Sequence, residues 1–448
     1  MSYKPYIKPV TNAFSDIVLP EPRFSKFAVF LIKLLGRPYL YLINSLAKIV
    51  LKREDILFDI FKRSLAGEGR YIIAFRHPYD SEPQILTWFF LFKLKQLAKR
   101  KGVKFAIKAH ARFIYTYEIA RWGGFWARFI MPRIGAMPIH HNKIDSNGMA
   151  RIYKAIIDGP YPLALAPEGQ VSYSADTVPR LEQGVIRIGF NSAEKLSELG
   201  SDMQINIVPL SIHFRYGRKA KFAMEKLLLK MEKLCGLSSN KGLAFLERVR
   251  LCRDYILELN EKFYGIAPNE LPFEQRLEKL MDTALEKGER MIGVKSYGDF
   301  FYRMYRLRQH CWDRIFLPNV HSLDGLTEME RNLYDLGAGE AWYIGRHQEL
   351  IDFCWYFRIP LPTEHAPLHQ QVEYIQNLWD FASRSMGGAL ANRKHIKPRR
   401  ILLVPAEPIN INERLDAYKN DKKTTINDTL KKLEKAFLNC IEEAGRED

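Results

Sequence analysis

Cysteine is scarce in this chain: five in 448 residues, with no two in CxxC spacing. That excludes a disulfide framework and a cysteine-rich zinc site, and it points to a reducing cytoplasm. Acidic residues are outnumbered, 51 against 68 lysines and arginines, for a net charge of +17. So basic a chain suits an anionic partner: nucleic acid, an acidic membrane surface or phosphorylated small molecules. GxGxxG, a Walker loop, a GxSxG nucleophile elbow and HExxH are all missing. Nothing therefore announces dinucleotide binding, a phosphate-cradling loop, a serine nucleophile or a zinc hydrolase. There is no internal repeat or low-complexity tract, and the first 22 residues have scattered prolines but no apolar h-region, so no secretory leader is expected.

A long uninterrupted apolar run is absent too. Lys33 and Arg37 break the best candidate, Lys26 to Lys52, so no membrane-spanning helix is expected. At about 100° per residue, Lys26, Lys33, Arg37, Asn44 and Lys48 share one stripe about 60° wide. Phe27, Phe30, Leu31, Leu34, Leu35, Tyr41, Leu42, Ile43 and Leu46 fill the rest of the circumference. With Pro38 expected to kink it into two helices, the segment reads as an element lying in the lipid interface, its cations among the headgroups. The competing reading is an amphipathic helix packed on the protein's own core.

What the chain does have is a globular composition, 47% hydrophobic and 27% charged, and length for two or three domains. From about residue 69, short apolar strands alternate with helical stretches, the pattern of an α/β protein. Strands are expected at Tyr71–Phe75, Lys104–Ile107, Ala136–Ile139, Tyr161–Ala166 and Ile205–Phe214, and helices at Pro83–Lys99, Asn147–Ile157 and Leu181–Leu199. Helical periodicity then dominates from Arg218 to Lys397, and a strand at Ile401–Val404 and an amphipathic helix close the chain. The expected organisation is an N-terminal membrane-associating helical segment (1–60), an α/β core (61–217), a helical insertion (218–397), and a final core strand with a C-terminal helix (398–448).

Two constellations carry chemistry. The first is Arg76-His77-Pro78-Tyr79-Asp80-Ser81-Glu82-Pro83, directly after the strand Tyr71–Phe75. A strand end is where an α/β sheet presents reactive groups. His77 is a proton acceptor near neutral pH, and a carboxylate is needed to hold its tautomer. Glu82 and Asp80 both lie within reach in sequence. No second histidine or acidic cluster completes a metal site with them. The second constellation is the apolar run Leu163–Ala166 entering Pro167-Glu168-Gly169-Gln170, followed by a helix start near Gln183-Gly184-Val185-Ile186-Arg187.

In this order and spacing, the chain resembles the glycerolipid acyltransferase family of the lysophosphatidate acyltransferase type. The resemblance lies in His77, four residues and Glu82-Pro83, then Pro167-Glu168-Gly169, Val208-Pro209-Leu210 and Ala406-Glu407-Pro408-Ile409. It covers about residues 69–216 and 399–411. The family's usual acid is aspartate. Its Pro-Glu-Gly block normally continues Thr-Arg-Ser, whereas here it continues Gln170-Val171-Ser172. Its intervening block ends in arginine, whereas here Gly135–Ile139 leads to His140-His141-Asn142-Lys143. Lys143, His141 and Arg187 are candidate substitutes for the absent arginines.

The resemblance implies an enzyme of phospholipid biosynthesis without a cofactor, working at the cytoplasmic side of a membrane as a peripheral or monotopic protein. It would transfer a fatty acyl group from acyl-CoA or acyl carrier protein, the donor substrates, to the hydroxyl of a lysophospholipid such as 1-acyl-glycerol-3-phosphate. His77 would be the general base and Glu82 its orienting acid. Glu168, Gly169, Lys143 and Arg187 would line the acceptor site. The lost arginines keep open a CoA-independent transacylase or a non-phosphate acceptor, and a non-catalytic membrane protein on the same scaffold is the alternative from another class. The basic runs Lys93–Lys108 and Arg393–Arg400 read as solvated faces, since no nucleic-acid module accompanies them. Within the insertion, the aromatic stretch Ala341–Phe357 is expected to be helix core, and His310, Cys311, His347 and Cys354 make no metal pattern.

Overall fold

The apolar runs between residues 48 and 216 close into one sheet because both of its faces are covered, so strands such as Tyr-Ile-Ile-Ala-Phe are hydrophobic throughout. The computed structural model describes residues 9–16, 21–42, 46–105, 107–117, 119–120, 124–140, 145–237, 242–268, 270–386, 393–398 and 400–446. The described residues form two compact units, one within 19–217 and 397–448, the other within 1–18 and 218–396.

The first unit holds a mixed, mostly parallel eight-stranded sheet: β1 (Lys48–Leu51), β2 (Arg70–Phe75), β3 (Arg112–Thr116), β4 (Met137–Ile139), β5 (Leu163–Leu165), β6 (Ile205–Arg215), β7 (Arg400–Pro405) and β8 (Ile409–Asn410). Their order is β1-β7-β6-β2-β5-β3-β4, with β8 also on β6. Only β7 and β8 run antiparallel to their neighbour β6. Helices α1 (Lys26–Leu42), α2 (Glu54–Ala66), α3 (Glu82–Trp88) and α4 (Leu94–Arg100) come first, α3 and α4 being joined by a π-helical turn. Then follow α5 (Gly124–Arg133), α6 (Ser146–Ile157) and α7 (Gly184–Glu198). Alternation along β2 splits the core: Tyr71, Ile73 and Phe75 pack with α2, α3 and α4, and Ile72 and Ala74 with α6 and α7.

Two expectations are corrected. Among the described residues of Lys104–Ile107 no strand forms; the strand is β3, whose alternating Phe113 and Tyr115 are buried and which pairs with β5. Phe105 packs instead as a loop residue against Phe58, with ring centroids 5.8 Å apart. Nor does a second helix run on to Lys52. Pro38 sits inside the single helix α1, and Lys48–Leu51 pairs in parallel with Arg400–Leu403 at the sheet edge. Ile49 and Val50, β-branched, suit that strand.

The second unit is helical: α8 (Lys219–Cys235), α9 (Phe245–Tyr264), α10 (Phe273–Met291), α11 (Phe300–Ile315), α12 (Glu328–Tyr356) and α13 (Leu368–Ser385). Ion pairs tie it together, among them Arg248–Glu232, Arg276–Glu261, Arg308–Asp352 and Arg393–Asp380. Phe14–Ser15 pairs with Phe316–Leu317, so the start of the described chain belongs here and not with α1. Of the aromatic stretch on α12, Phe353, Tyr356 and Phe357 are buried, while Tyr343 is exposed. The chain then returns to the first unit, where α14 (Leu415–Asn420) and α15 (Lys422–Gly445) cover the α6–α7 face of the sheet.

Candidate active site

Strand β2 lies in the middle of the sheet and ends at Phe75, which delivers His77 to the carboxyl edge. The chain turns through Pro78–Ser81 and begins α3 at Glu82, with Pro83 in its first turn, where a missing N–H costs nothing. This brings His77 Nδ1 to 2.8 Å from Glu82 Oε2. A carboxylate only accepts, so Nδ1 carries the proton and Nε2 is left as the basic nitrogen. The Glu82 side chain is fully buried, whereas 18% of the His77 side chain stays accessible. Asp80 is exposed. Of the two carboxylates the sequence offered, Glu82 is the one that meets the imidazole.

Burial opposes a charge on His77, but Glu82, by its charge and its hydrogen bond, outweighs that cost, with Glu168 and Asp80 adding to it. The imidazole is held above its ordinary value. Burial in turn pushes the Glu82 carboxyl up, and the imidazole pulls it back. The two groups therefore share their protons as a pair.

Strand β5 is the parallel neighbour of β2, with Ala74 opposite Leu165, so the loop that follows lies beside His77. Gly169 takes a left-handed φ of 72° there, which glycine adopts without steric cost. Glu168 turns inward: its Oε1 accepts from Arg76 Nε at 2.6 Å, and neither side chain is accessible. The Arg76 guanidinium also donates to the carbonyls of Ala175, Ser174 and Thr177. Further along, the Ser172 amide donates to the His77 carbonyl at 2.9 Å. Sequence reasoning passed over Arg76, whose single signal was its place beside His77.

Arg187 stands in the first turn of α7 and grips Gln183 Oε1 at 2.9 Å. It lines a cleft of about 640 Å³ together with Arg180, Glu182, Asn427 and Glu434. Neither His77 nor Glu82 is in that lining. Lys143 and His141 lie outside the described residues. His140, beside them, stacks on Tyr117 with centroids 4.4 Å apart. The Val208-Pro209-Leu210 block lies in β6, where the Leu210 carbonyl accepts from the Arg76 amide.

One further arrangement escaped the sequence reading. Ser211 Oγ lies 2.8 Å from His213 Nε2, and His213 Nδ1 lies 4.0 Å from Asp176. Ser211 and His213 are wholly inaccessible, so this hydroxyl meets no substrate carbonyl. Among the described residues, no three His, Cys, Asp or Glu side chains are grouped to hold a metal.

No helix among the described residues is long and apolar enough to cross a membrane. Yet α1 turns its large apolar side chains outward: Phe27, Phe30, Leu34, Leu35 and Leu42 are all more than half exposed, while Ala28, Val29 and Leu40 are buried. Lys26, Lys33 and Arg37 flank that exposed face. Gly36 admits Trp88 of α3, which a Cβ would meet at 2.8 Å, so α1 lies against the helix that begins at Glu82.

Compared with known protein families and with curated proteins, the chain matches none.

Proposed function

We propose that this chain is a glycerolipid-type acyltransferase that moves a fatty acyl group from acyl-CoA or acyl carrier protein to a lysophospholipid hydroxyl, such as that of 1-acyl-glycerol-3-phosphate. The observation that carries the reading is the His77–Glu82 dyad at the carboxyl edge of a central parallel strand, with Pro167-Glu168-Gly169 in the loop that follows the neighbouring strand. His77 Nε2 takes the proton of the acceptor hydroxyl, and Glu82 stabilises the imidazolium that forms. The hydroxyl oxygen attacks the thioester carbonyl, and the tetrahedral oxyanion collapses to the ester. The C–S bond breaks, and the departing thiolate recovers the proton from His77. Both substrates react directly, so the mechanism needs no protein nucleophile.

Two surfaces support the choice of substrate. Arg180 and Arg187 at the cleft offer guanidinium groups to an anionic headgroup. The exposed apolar face of α1 with its cations suits an anionic lipid surface, where acyl chains are found.

The test is product identification. The purified protein receives labelled acyl-CoA or acyl carrier protein, with lysophosphatidate, other lysophospholipids and a non-phosphate hydroxyl lipid as acceptors. Labelled diacyl phospholipid with stoichiometric release of free thiol is expected. Label on the non-phosphate lipid alone transfers the reading to that acceptor class, and exchange of acyl groups between phospholipids without thioester use makes the protein a transacylase. No transfer under any of these conditions contradicts an acyltransferase.

A further inference from the structure

We propose that Arg76 is a positioning residue for His77, and that Glu168 serves Arg76 and not the acceptor. In its kinetic consequences the inference rests on the acyl-transfer reading; in its geometry it does not.

Arg76 is the last residue before His77 and is completely inaccessible. A guanidinium has five N–H donors in a rigid fork, and four of them are engaged on one loop. Nε donates to Glu168 Oε1 at 2.6 Å, Nη1 to the Ala175 carbonyl at 3.0 Å, and Nη2 to the carbonyls of Ser174 at 3.0 Å and Thr177 at 2.7 Å. The Arg76 amide meanwhile donates to Leu210 and keeps the residue in register with β6. One residue thus ties the sheet edge to both ends of the 168–177 segment.

The segment is bent in a way that needs such a tie. Gly169 at φ 72° is unstrained, but Tyr173 at φ 51° is a non-glycine residue in the left-handed region. That conformation carries a steric cost and persists only where its surroundings impose it. The bend places the Ser172 amide on the His77 carbonyl, so the loop grips the backbone of the base itself. Glu182 N, donating to the Pro167 carbonyl at 2.6 Å, closes the base of the loop.

Two buried ions are a poor choice for stability alone, since desolvation offsets most of their attraction. What the fork supplies is geometry. Lysine, a point charge with three donors on a flexible stem, cannot hold the same three carbonyls and a carboxylate together. The Glu168 side chain, inaccessible and facing Arg76, is not presented to an acceptor.

The experiment uses the full chain with Arg76→Lys and Glu168→Gln, each checked for folding by circular dichroism. Two readouts are taken: kcat and KM for the acceptor, and the downfield Nδ1 proton of His77 in ¹⁵N-histidine-labelled protein, identified by its absence from His77→Ala. The expected result is a fall in kcat of about 10²-fold with KM for the acceptor nearly unchanged, and a shifted or lost Nδ1 signal. Glu168→Gln keeps the side-chain shape but replaces the charged acceptor of Arg76 Nε with a neutral amide, so it loosens the tie where Arg76→Lys does not fold. Because it also removes a charge that raises the His77 affinity, the Nδ1 signals are compared at a pH where the imidazole is neutral in both proteins. A raised KM at unchanged kcat makes Glu168 an acceptor ligand and overturns the proposal, as does an unmoved Nδ1 signal. If the wild type transfers no acyl group, the acyl-transfer reading fails alone and the Nδ1 signal still decides on the positioning role.

Discussion

An imidazole whose Nδ1 is held by a buried carboxylate has one nitrogen for chemistry and a proton affinity set by that carboxylate. In the proposed mechanism His77 acts as a base only when neutral, so transfer should rise with pH through its pKa, which is held above the ordinary 6.5 of histidine. In Glu82→Gln, the charge that raises it is gone while burial still lowers it. The acid limb of kcat/KM should then move to lower pH, and the maximal rate should fall because the amide no longer stabilises the imidazolium. A pH–rate profile of both proteins checks this, and an acid limb that stays in place argues that Glu82 does not set the affinity of the base. His77 and Glu82 were legible in sequence because only the four residues of a turn separate them, and local spacing carries that information. Arg76 and its partners were not: they lie 92 to 101 residues apart and meet through the pairing of β2 with β5, which no local pattern encodes.

At the scale of elements, the most informative is α1, because it inverts the usual arrangement of an amphipathic helix. Its small residues, with Leu40, face the fold, and its large apolar ones face outward beside Lys26 and Lys33. The double substitution Phe30→Asp and Leu34→Asp should weaken binding to anionic vesicles at least about tenfold, since each side chain loses on the order of 1 kcal/mol or more of apolar burial. Sedimentation with anionic and neutral vesicles measures it, and unchanged binding would place the docking face elsewhere. The cationic stripe of this helix was legible from its 3.6-residue period; its end was not. The run Lys48–Leu51 is apolar enough for helix or strand, and its parallel partner Arg400–Leu403 lies some 350 residues away. The misplaced strand near residue 105 has the same origin, a short apolar run beside a longer aromatic one, with the choice made by pairing to β5.

Across the whole molecule, each unit holds a histidine whose surroundings favour the neutral form. His110, whose Nε2 donates to the Ile134 carbonyl, is pushed by burial to about 4. His347, against the Tyr264 hydroxyl, is likewise lowered by burial to about 4. The unfolded chain takes up these protons below about pH 6.5, whereas the folded chain resists them. Stability is therefore full above that pH and is lost as pH falls towards 4, by up to about 3 kcal/mol for the inaccessible His110 and by less for the partly exposed, solvent-screened His347. His77, with its raised value, contributes in the opposite sense and loses its share as pH rises through that value. Denaturant unfolding at pH 7 and 5 should show the loss, and His110→Gln, which keeps a donor and does not titrate, should lessen it in the sheet unit. An equal loss in that variant would assign the acid sensitivity to other groups. The alternation of strands and helices and the change of texture after Tyr216 were readable in sequence because both are local periodicities. That residues 14–15 join the helical unit was not, since two residues of parallel pairing leave no pattern.

The central proposal is His77 as the base of a direct acyl transfer. The most direct test is the initial rate of ester formation from acyl-CoA by the wild type and by folded His77→Ala, at a pH where the wild type is fastest. A loss of about 10²- to 10⁴-fold is predicted, the range for removal of a general base. A His77→Ala protein that forms the ester at the wild-type rate would contradict the account.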